Sequence, residues 1–154
     1  MQKLKLDVLA DYFQFYLQDE SAIGDLSGSW GPEAVERLVA VAPGMVGVGT
    51  VRNMRVPVLM EILESEPGCD LEAWDHVTEC SLDVPTGRLV IAGCTDYLPE
   101  AARMKVKPGS YRVRVSYGAL SSLSEDGLGG DDRYRVQLWP GSNTEPHVLK
   151  QRPA

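Results

Sequence analysis

The stretch Tyr111–Tyr117, with the sequence YRVRVSY, alternates apolar and polar residues without a break, and the turn signal Pro108-Gly109 precedes it. A period of two places the tyrosines and valines on one face of a strand and Arg112, Arg114 and Ser116 on the other. The sequence therefore predicts a half-buried strand, with a core on one side and water or a partner on the other.

Similar short segments occur along most of the chain. They cover residues 12–17, 45–51, 56–63, 74–84, 88–93, 101–106 and 134–139. Proline and glycine separate them, as in Pro85-Thr86-Gly87 and Pro140-Gly141. Many short strands with a turn about every 8–12 residues are typical of a sandwich or a barrel. We predict a mostly β protein, an antiparallel β-sandwich of two packed sheets, forming a single domain over residues 1–154.

One short peripheral helix is predicted over residues 32–41. Pro32 suits the first turn of a helix, and Glu33 favours its positive N-terminal end. The apolar residues of this segment share one face at helical spacing: Val35, Leu38 and Val39.

The apolar positions of the predicted strands define the expected core. These residues are Phe15, Val58, Val77, Leu89, Ile91, Val113, Val115, Val136 and Leu138. Phe13 is expected to face the same way as Phe15. Gly47 and Gly49 leave one face of their strand bare, so a neighbouring element is expected close to it.

Composition restricts the classes of function. The chain has 22 Asp and Glu against 15 Lys and Arg, a net charge of -7. This acidity disfavours binding to nucleic acid or to an anionic membrane, both of which need excess positive charge. No apolar run approaches the roughly 18 residues of a spanning helix. A cytoplasmic protein, or one with a basic partner, is the expectation.

The cysteines and histidines form no metal-binding pattern. No C-x-x-C pair occurs among the three cysteines, which are Cys69, Cys80 and Cys94. With only two histidines, His76 and His147, the chain has no zinc-binding pattern. We therefore predict no cofactor and no metal, and reduced thiols.

Charge is distributed unevenly along the sequence. Residues 56–87 contain no Lys or Arg but eight carboxylates: Glu61, Glu64, Glu66, Asp70, Glu72, Asp75, Glu79 and Asp83. From Arg88 to Arg114 the balance is basic. Two interpretations remain open. Paired strands of opposite sign would neutralise each other, or an acidic face would steer a basic partner.

Two segments contain residue types that could support metal binding or catalysis. The loop 124–132 contains Glu125, Asp126, Asp131, Asp132 and three glycines, and oxygen ligands of this kind can hold calcium. It lacks the regular D-x-[DN]-x-[DN]-G spacing, so a solvated hairpin loop is favoured. In Trp74-Asp75-His76, adjacent strand residues point to opposite faces, which favours a structural histidine over a general base. No catalytic residue is predicted.

Several segments together resemble the competence-protein-J nuclease inhibitors. The segment Tyr12–Tyr16 is similar to the aromatic strand near the start of those proteins. The later series resembles their C-terminal half: Val77 to Pro85, Leu89-Val90-Ile91, Pro108-Gly109-Ser110-Tyr111 and Val136-Gln137-Leu138-Trp139. These inhibitors are small, acidic, β-rich bacterial proteins that block a partner nuclease. The acidic loop at 124–132 and the helix at 32–41 depart from their pattern.

The resemblance implies a non-enzymatic inhibitor or immunity-type protein that masks the cationic site of a basic nuclease or toxin. One candidate patch contains Glu64, Glu66, Asp70 and Glu72, and the other Glu125, Asp126, Asp131 and Asp132. Trp30 and Trp74 are expected to be hot spots where they are exposed. The alternative is a β-sandwich module that binds a ligand, either in a calcium-dependent way or as a carbohydrate-binding or other small-ligand-binding protein.

Overall fold

Eleven strands and one α-helix make up the main regular structure of residues 1–153, the part of the chain that the computed structural model describes. The strands are β1 (Gln2–Leu9), β2 (Gln14–Asp19), β3 (Val39–Ala42), β4 (Met45–Gly49), β5 (Arg55–Ile62), β6 (His76–Val84), β7 (Arg88–Gly93), β8 (Ala102–Lys105), β9 (Gly109–Gly118), β10 (Arg133–Pro140) and β11 (His147–Lys150). The helix α1 spans Pro32–Arg37, and short 3₁₀ turns lie at Asp11–Phe13, Leu71–Ala73 and Leu98–Glu100.

The strands form two sheets. Sheet A has six strands in the order β1-β5-β10-β9-β6-β11, and sheet B has five in the order β3-β4-β2-β7-β8. The predicted mostly β sandwich with one short helix is confirmed. One pair departs from antiparallel pairing, because β10 runs parallel to β5, with Tyr134 opposite Val58 and Leu138 opposite Ile62.

The core lies between the two sheets, and all nine residues predicted for it are buried to an exposure of 2% or less. Eight of them belong to this core, whereas Val77 lies opposite Ser116 on the outer face of sheet A. Val115, at the centre of the quoted strand, lies opposite Val136 of β10 and Thr78 of β6, so its side chain is enclosed on both sides. Burial of this apolar face is the main favourable contribution to folding.

The other face of β9 is not open to water, contrary to expectation. Arg114 is 2% exposed and Ser116 is fully buried. The segment that joins β5 to β6 crosses over this face, and Arg114 donates hydrogen bonds to the carbonyl oxygens of Pro67 and Gly68. Strand periodicity cannot reveal that a loop covers the polar face.

The predicted helix over residues 32–41 is wrong in its second half. The helix α1 ends at Arg37, and Leu38 has a left-handed backbone with φ of 63°. Val39–Ala42 instead forms β3, which pairs with β4. The β-branched residues of β3 suit this pairing. As a result Val35 is exposed rather than sharing a buried face with Leu38 and Val39.

The aromatic strand begins later than predicted. Tyr12 and Phe13 lie in a 3₁₀ turn with φ of 59° and 61°, and β2 starts at Gln14. The two left-handed residues rotate the chain, so Phe13 is exposed while Phe15 is fully buried. The expectation that both rings face one way is therefore wrong.

The expectation of a close neighbour at Gly47 and Gly49 is confirmed. A Cβ atom at Gly47 would lie 2.7 Å from Leu26 Cδ1 and 3.0 Å from Trp30 Cζ2, and one at Gly49 would lie 3.3 Å from Leu38 Cδ2. The segment between β2 and β3 thus packs directly onto the outer face of sheet B.

None of the helices in residues 1–153 has the length and apolar character needed to cross a membrane.

Replacing Val113 by alanine tests the assignment of the buried face of β9. We expect Val113→Ala to lower the free energy of unfolding by on the order of 1–3 kcal/mol, because apolar contact is lost and a cavity remains. The matched control is Val148→Ala, since Val148 is a partly exposed strand valine. Urea denaturation measures both. A loss below about 0.5 kcal/mol for Val113→Ala would contradict the assignment.

Candidate protein-binding surfaces

A row of polar side chains crosses the outer face of sheet A on six neighbouring strands. The register places these residues side by side: Lys3, Glu61, Gln137, Arg114, Glu79 and His147. Near the middle of the row, Arg114 Nε lies 2.8 Å from Glu79 Oε2. Arg112 Nη2 lies 3.0 Å from the other oxygen of Glu79. This arrangement confirms that strands of opposite sign neutralise each other in this part of the sheet.

The rest of the row continues the same pattern toward β1. Glu61 accepts a hydrogen bond from Gln137 Nε2 at 3.0 Å and lies 3.4 Å from Lys3 Nζ. Glu61 and Glu79 are both buried, so neither is available to a partner. The eight carboxylates of residues 56–87 therefore do not form one continuous acidic face.

The first predicted patch lies on the segment that joins β5 to β6. Glu64, Glu66 and Glu72 are exposed, and no Lys or Arg of residues 1–153 forms an ion pair with them. Arg114 anchors the middle of this segment, and Lys150 Nζ donates to the Leu71 carbonyl oxygen at 2.9 Å. The three carboxylates are thus presented on an anchored backbone.

Asp70 differs from the other members of this patch. Arg135 forms two hydrogen bonds with its carboxylate, at 2.8 Å and 2.6 Å. These bonds lower the pKa of Asp70 below its usual range, although the carboxyl group remains partly exposed to water. A partner would have to compete with Arg135 for this carboxylate, so Asp70 contributes less to an acidic surface than its sequence position indicates.

Trp74 is buried, so it does not meet the condition of exposure under which it was expected to be a hot spot. Its ring lies 4.1 Å from the Arg133 guanidinium carbon and 4.7 Å from that of Arg135. These contacts are cation–π interactions, which hold the end of the crossing segment against sheet A. Trp74 therefore has a structural role.

Trp30 is half-buried on the outer face of sheet B. Its Nε1 atom donates a hydrogen bond of 2.7 Å to Gln14 Oε1, and its ring packs against Leu26 and the bare face at Gly47. Only part of its surface is accessible to a partner.

The second predicted patch divides into three exposed carboxylates and one buried carboxylate. Glu125, Asp126 and Asp131 are exposed. Asp132 is fully buried, 2.7 Å from Arg52 Nε and 2.7 Å from the Tyr134 hydroxyl that donates to it. Asp132 is therefore not part of an acidic surface, because it neutralises an arginine from the loop between β4 and β5.

The geometry of this loop does not form a metal site. The carboxylate of Asp126 turns back to accept hydrogen bonds from Ser124 Oγ and from the Leu128 amide, and these bonds lower its pKa. Asp132 points inward. Within residues 1–153 no three His, Cys, Asp or Glu side chains are placed to hold a metal ion together.

His76 is fully buried and hydrogen-bonded to the backbone at both ring nitrogens. Nδ1 accepts from the Arg152 amide at 3.1 Å, and Nε2 lies 3.0 Å from the Arg37 carbonyl oxygen. Asp75 instead accepts from the Leu120 amide. The two side chains do not form an acid–base pair, in agreement with the predicted structural histidine.

Apolar side chains that the sequence did not indicate are exposed at one end of the sandwich, above all Tyr12 and Phe13. The alternation of residues 12–17 favoured a strand, in which Phe13 would share a face with Phe15. No local pattern marks two successive left-handed aromatic residues, because that conformation depends on contacts with distant loops.

No protein-family model and no curated protein sequence matches this chain. Among solved structures, the chain is similar to ComJ, inhibitor of the DNA degrading activity of NucA, from Bacillus subtilis. The TM-score is 0.68 and the sequence identity 16%, over 92% of this chain and 96% of that chain. It is also similar to crocagin biosynthetic gene J, with a TM-score of 0.61 and 20% identity, over 92% of this chain and 100% of that chain.

Both solved structures share the fold of this chain. The resemblance to competence protein J that the sequence indicated is therefore confirmed at the level of the fold.

Removing Arg114 tests the buried ion pair. We expect Arg114→Met to lower the free energy of unfolding by about 3 kcal/mol, because Glu79 stays buried and keeps only the partly exposed Arg112 and His147 as partners, both at its other oxygen. The matched control is Lys3→Met, which removes the exposed end of the same row and should cost under about 1 kcal/mol. Equal losses for the two variants in urea denaturation would show that the pair is not the main contact of the row.

The buried histidine makes folding stability depend on pH. Burial lowers the pKa of His76 below its ordinary value near 6.5. The unfolded chain therefore binds a proton more readily than the folded chain. The stability is fully present above about pH 6.5 and is lost as the pH falls toward the lower folded value.

Melting temperatures at pH 7.5 and 5.5 check this dependence. We expect the wild-type chain to melt at a lower temperature at pH 5.5, and His76→Gln to show a smaller difference between the two pH values. An equal difference for both proteins would exclude His76 as the cause.

Proposed function

We propose that this chain is a non-enzymatic binding protein that inhibits a nuclease by covering its cationic, DNA-binding site. The observation that carries the proposal is the fold shared with ComJ over 92% of the chain. ComJ is an inhibitor of the DNA degrading activity of NucA. Since a shared fold does not by itself define a function, the surface of this chain has to supply independent support.

The charge of the chain supports a basic partner. The net charge of -7 attracts a positively charged surface over distances longer than direct contact, and this attraction raises the rate of encounter. The same charge repels DNA, so the chain would compete for the nuclease rather than for its substrate.

Two exposed acidic segments provide carboxylates that can take the place of DNA phosphates. The first contains Glu64, Glu66 and Glu72, and the second contains Glu125, Asp126 and Asp131. Carboxylates accept the same charge-assisted hydrogen bonds from Arg and Lys that phosphates accept. A nuclease site occupied in this way cannot bind DNA.

Both segments are held in place before binding. Arg114 and Lys150 anchor the first segment through its backbone. In the second segment, the Ser124 amide donates a hydrogen bond to the Gly129 carbonyl oxygen at 2.8 Å, and Ser122 Oγ accepts one from the Asp131 amide at 2.7 Å. Preorganised loops lose less conformational entropy on binding, which favours affinity.

An inhibition assay tests the proposal. The probes are purified nucleases, namely Bacillus subtilis NucA and the nucleases encoded in the same genome as this chain. We expect the wild-type chain to inhibit the DNA degradation of at least one of them. Its association rate should fall as salt is raised through about 0.15 M, where the Debye length is about 8 Å.

Charge reversal then locates the attraction. Two triple variants replace Glu64, Glu66 and Glu72, or Glu125, Asp126 and Asp131, with lysine. The matched control replaces Glu33, Glu36 and Glu145, three exposed carboxylates elsewhere, and changes the net charge by the same amount. We expect at least one patch variant to slow association more than the control does, with little change in melting temperature.

If association is equally fast at low and high salt, or if no patch variant differs from the control, the acidity serves only solubility. If the wild-type chain inhibits none of the nucleases, the proposed function is contradicted.

A further inference from the structure

Exposed apolar side chains are concentrated at one end of the sandwich. The strand register brings four loops to this end: 10–13, 50–54, 94–101 and 119–132. Among residues 1–153, six of the ten large hydrophobic residues that are exposed lie in these loops: Tyr12, Phe13, Met54, Tyr97, Leu98 and Leu128. We call this surface the aromatic end. Exposed apolar groups gathered in one region mark interaction sites more often than scattered ones do.

We propose that the aromatic end is the surface that docks onto the basic nuclease, with Tyr12 and Phe13 as its anchors. This inference rests on the proposed function and names the surface responsible for it. The sequence had indicated two acidic patches with Trp30 and Trp74, and none of the residues of the aromatic loops 10–13, 50–54 and 94–101.

Tyr12 and Phe13 are held outward by a backbone that disfavours them. Their exposures are 70% and 52%, and both adopt left-handed φ angles of 59° and 61°. In this conformation the Cβ atom of an L-residue crowds the backbone, so glycine and asparagine are preferred there. Strained residues of this kind persist only where surrounding contacts impose them, and they cluster at functional sites.

Contacts from the loop between β4 and β5 impose this conformation. The Tyr12 amide donates to Asn53 Oδ1 at 2.8 Å, and the Thr50 amide donates to the Phe13 carbonyl oxygen at 2.8 Å. Each strained residue is therefore tied by its own backbone to the same neighbouring loop. The rings are free to make contacts, while the backbone beneath them is fixed.

The loop between β7 and β8 joins the same surface. Thr95 Oγ1 donates to Asp11 Oδ2 at 2.9 Å. A Cβ atom at Gly93 would lie only 2.0 Å from the Leu9 carbonyl oxygen, so the two sheets approach closely here and require glycine. This loop carries Tyr97, which is 68% exposed. The third aromatic ring therefore belongs to the same end as the first two.

Charge around these rings identifies the chemistry of the partner. A cleft of about 260 Å³ between β1 and residues 96–102 is lined by Asp7, Asp96 and Glu100 beside Tyr97. All three carboxylates are exposed. The cleft is large enough for a Lys or Arg side chain, and an aromatic ring beside it adds cation–π attraction. The acidic loop with Glu125, Asp126 and Asp131 lies at the same end of the sandwich.

Exposed aromatic rings surrounded by carboxylates favour a basic protein as the binding partner of the aromatic end. DNA and anionic membranes are repelled by the carboxylates around the rings, and a second copy of this chain carries the same net charge of -7. A basic protein surface with apolar groups between its lysines and arginines matches both features. Aromatic residues at the centre of such an interface are the usual hot spots, and charges at its rim mainly set the association rate.

The test uses substitutions that relieve backbone strain while removing the rings. Tyr12→Asn and Phe13→Asn suit the left-handed conformation, so we expect an unchanged or higher melting temperature. The probes are the nucleases that the wild-type chain inhibits, drawn from Bacillus subtilis NucA and the nucleases of the same genome. We expect the double variant to weaken inhibition at least about ten-fold, chiefly through faster dissociation. The matched control is Ile23→Asn, because Ile23 is fully exposed but lies toward the opposite end.

The outcomes separate the two proposals. Weaker inhibition by the folded double variant, with Ile23→Asn unchanged, supports docking through the aromatic end. If the wild-type chain inhibits a nuclease and the double variant inhibits it equally well, the docking surface is wrong while the proposed function stands. If the wild-type chain inhibits none of the nucleases, both proposals are overturned.

Discussion

The buried pair of Arg114 and Glu79 is the contact on which the arrangement of sheet A depends. Both side chains lie on the outer face of the sheet, yet they are 2% and 4% exposed. A charge withdrawn from water is tolerated only with a partner and hydrogen bonds in good geometry. Arg114 meets this requirement with Glu79, with the carbonyl oxygens of Pro67 and Gly68, and with the ring of Trp139 at 5.1 Å.

This contact joins the sheet to the segment that crosses it. Because a one-residue shift of β9 would send Arg114 into the apolar core, the pair favours a single register for β6, β9 and β10. The same guanidinium fixes the backbone between β5 and β6, so Glu64 and Glu66 are displayed on an ordered segment. The outer face of sheet B is covered in a similar way by Trp30 and Leu26. With large parts of both outer faces covered, the loops at the ends of the sandwich remain for recognition, as in many β-sandwiches.

Local patterns in the sequence predicted those features that local physics determines. The alternation at Val113 and Val115 identified the buried face of β9, and the opposite charges of β6 and β9 indicated the cross-strand pairing that Glu79 and Arg114 make. The features that were missed depend on residues far apart in the sequence. Leu38 ends the helix early because Val39 and the residues after it pair with β4. Asp132 is turned inward by Arg52, about eighty residues before it in the chain, and Tyr12 is held out of the core by Asn53.

Hydrogen–deuterium exchange of this chain, alone and with a nuclease that it inhibits, tests most directly where the partner binds. We expect the complex to slow amide exchange in residues 10–13, 50–54 and 94–101 of the aromatic end. Exchange in the turn at residues 85–87 and in residues 141–146, which lie at the opposite end of the sandwich, should stay unchanged. Protection confined to residues 63–73 or to the opposite end of the sandwich would contradict docking through the aromatic end.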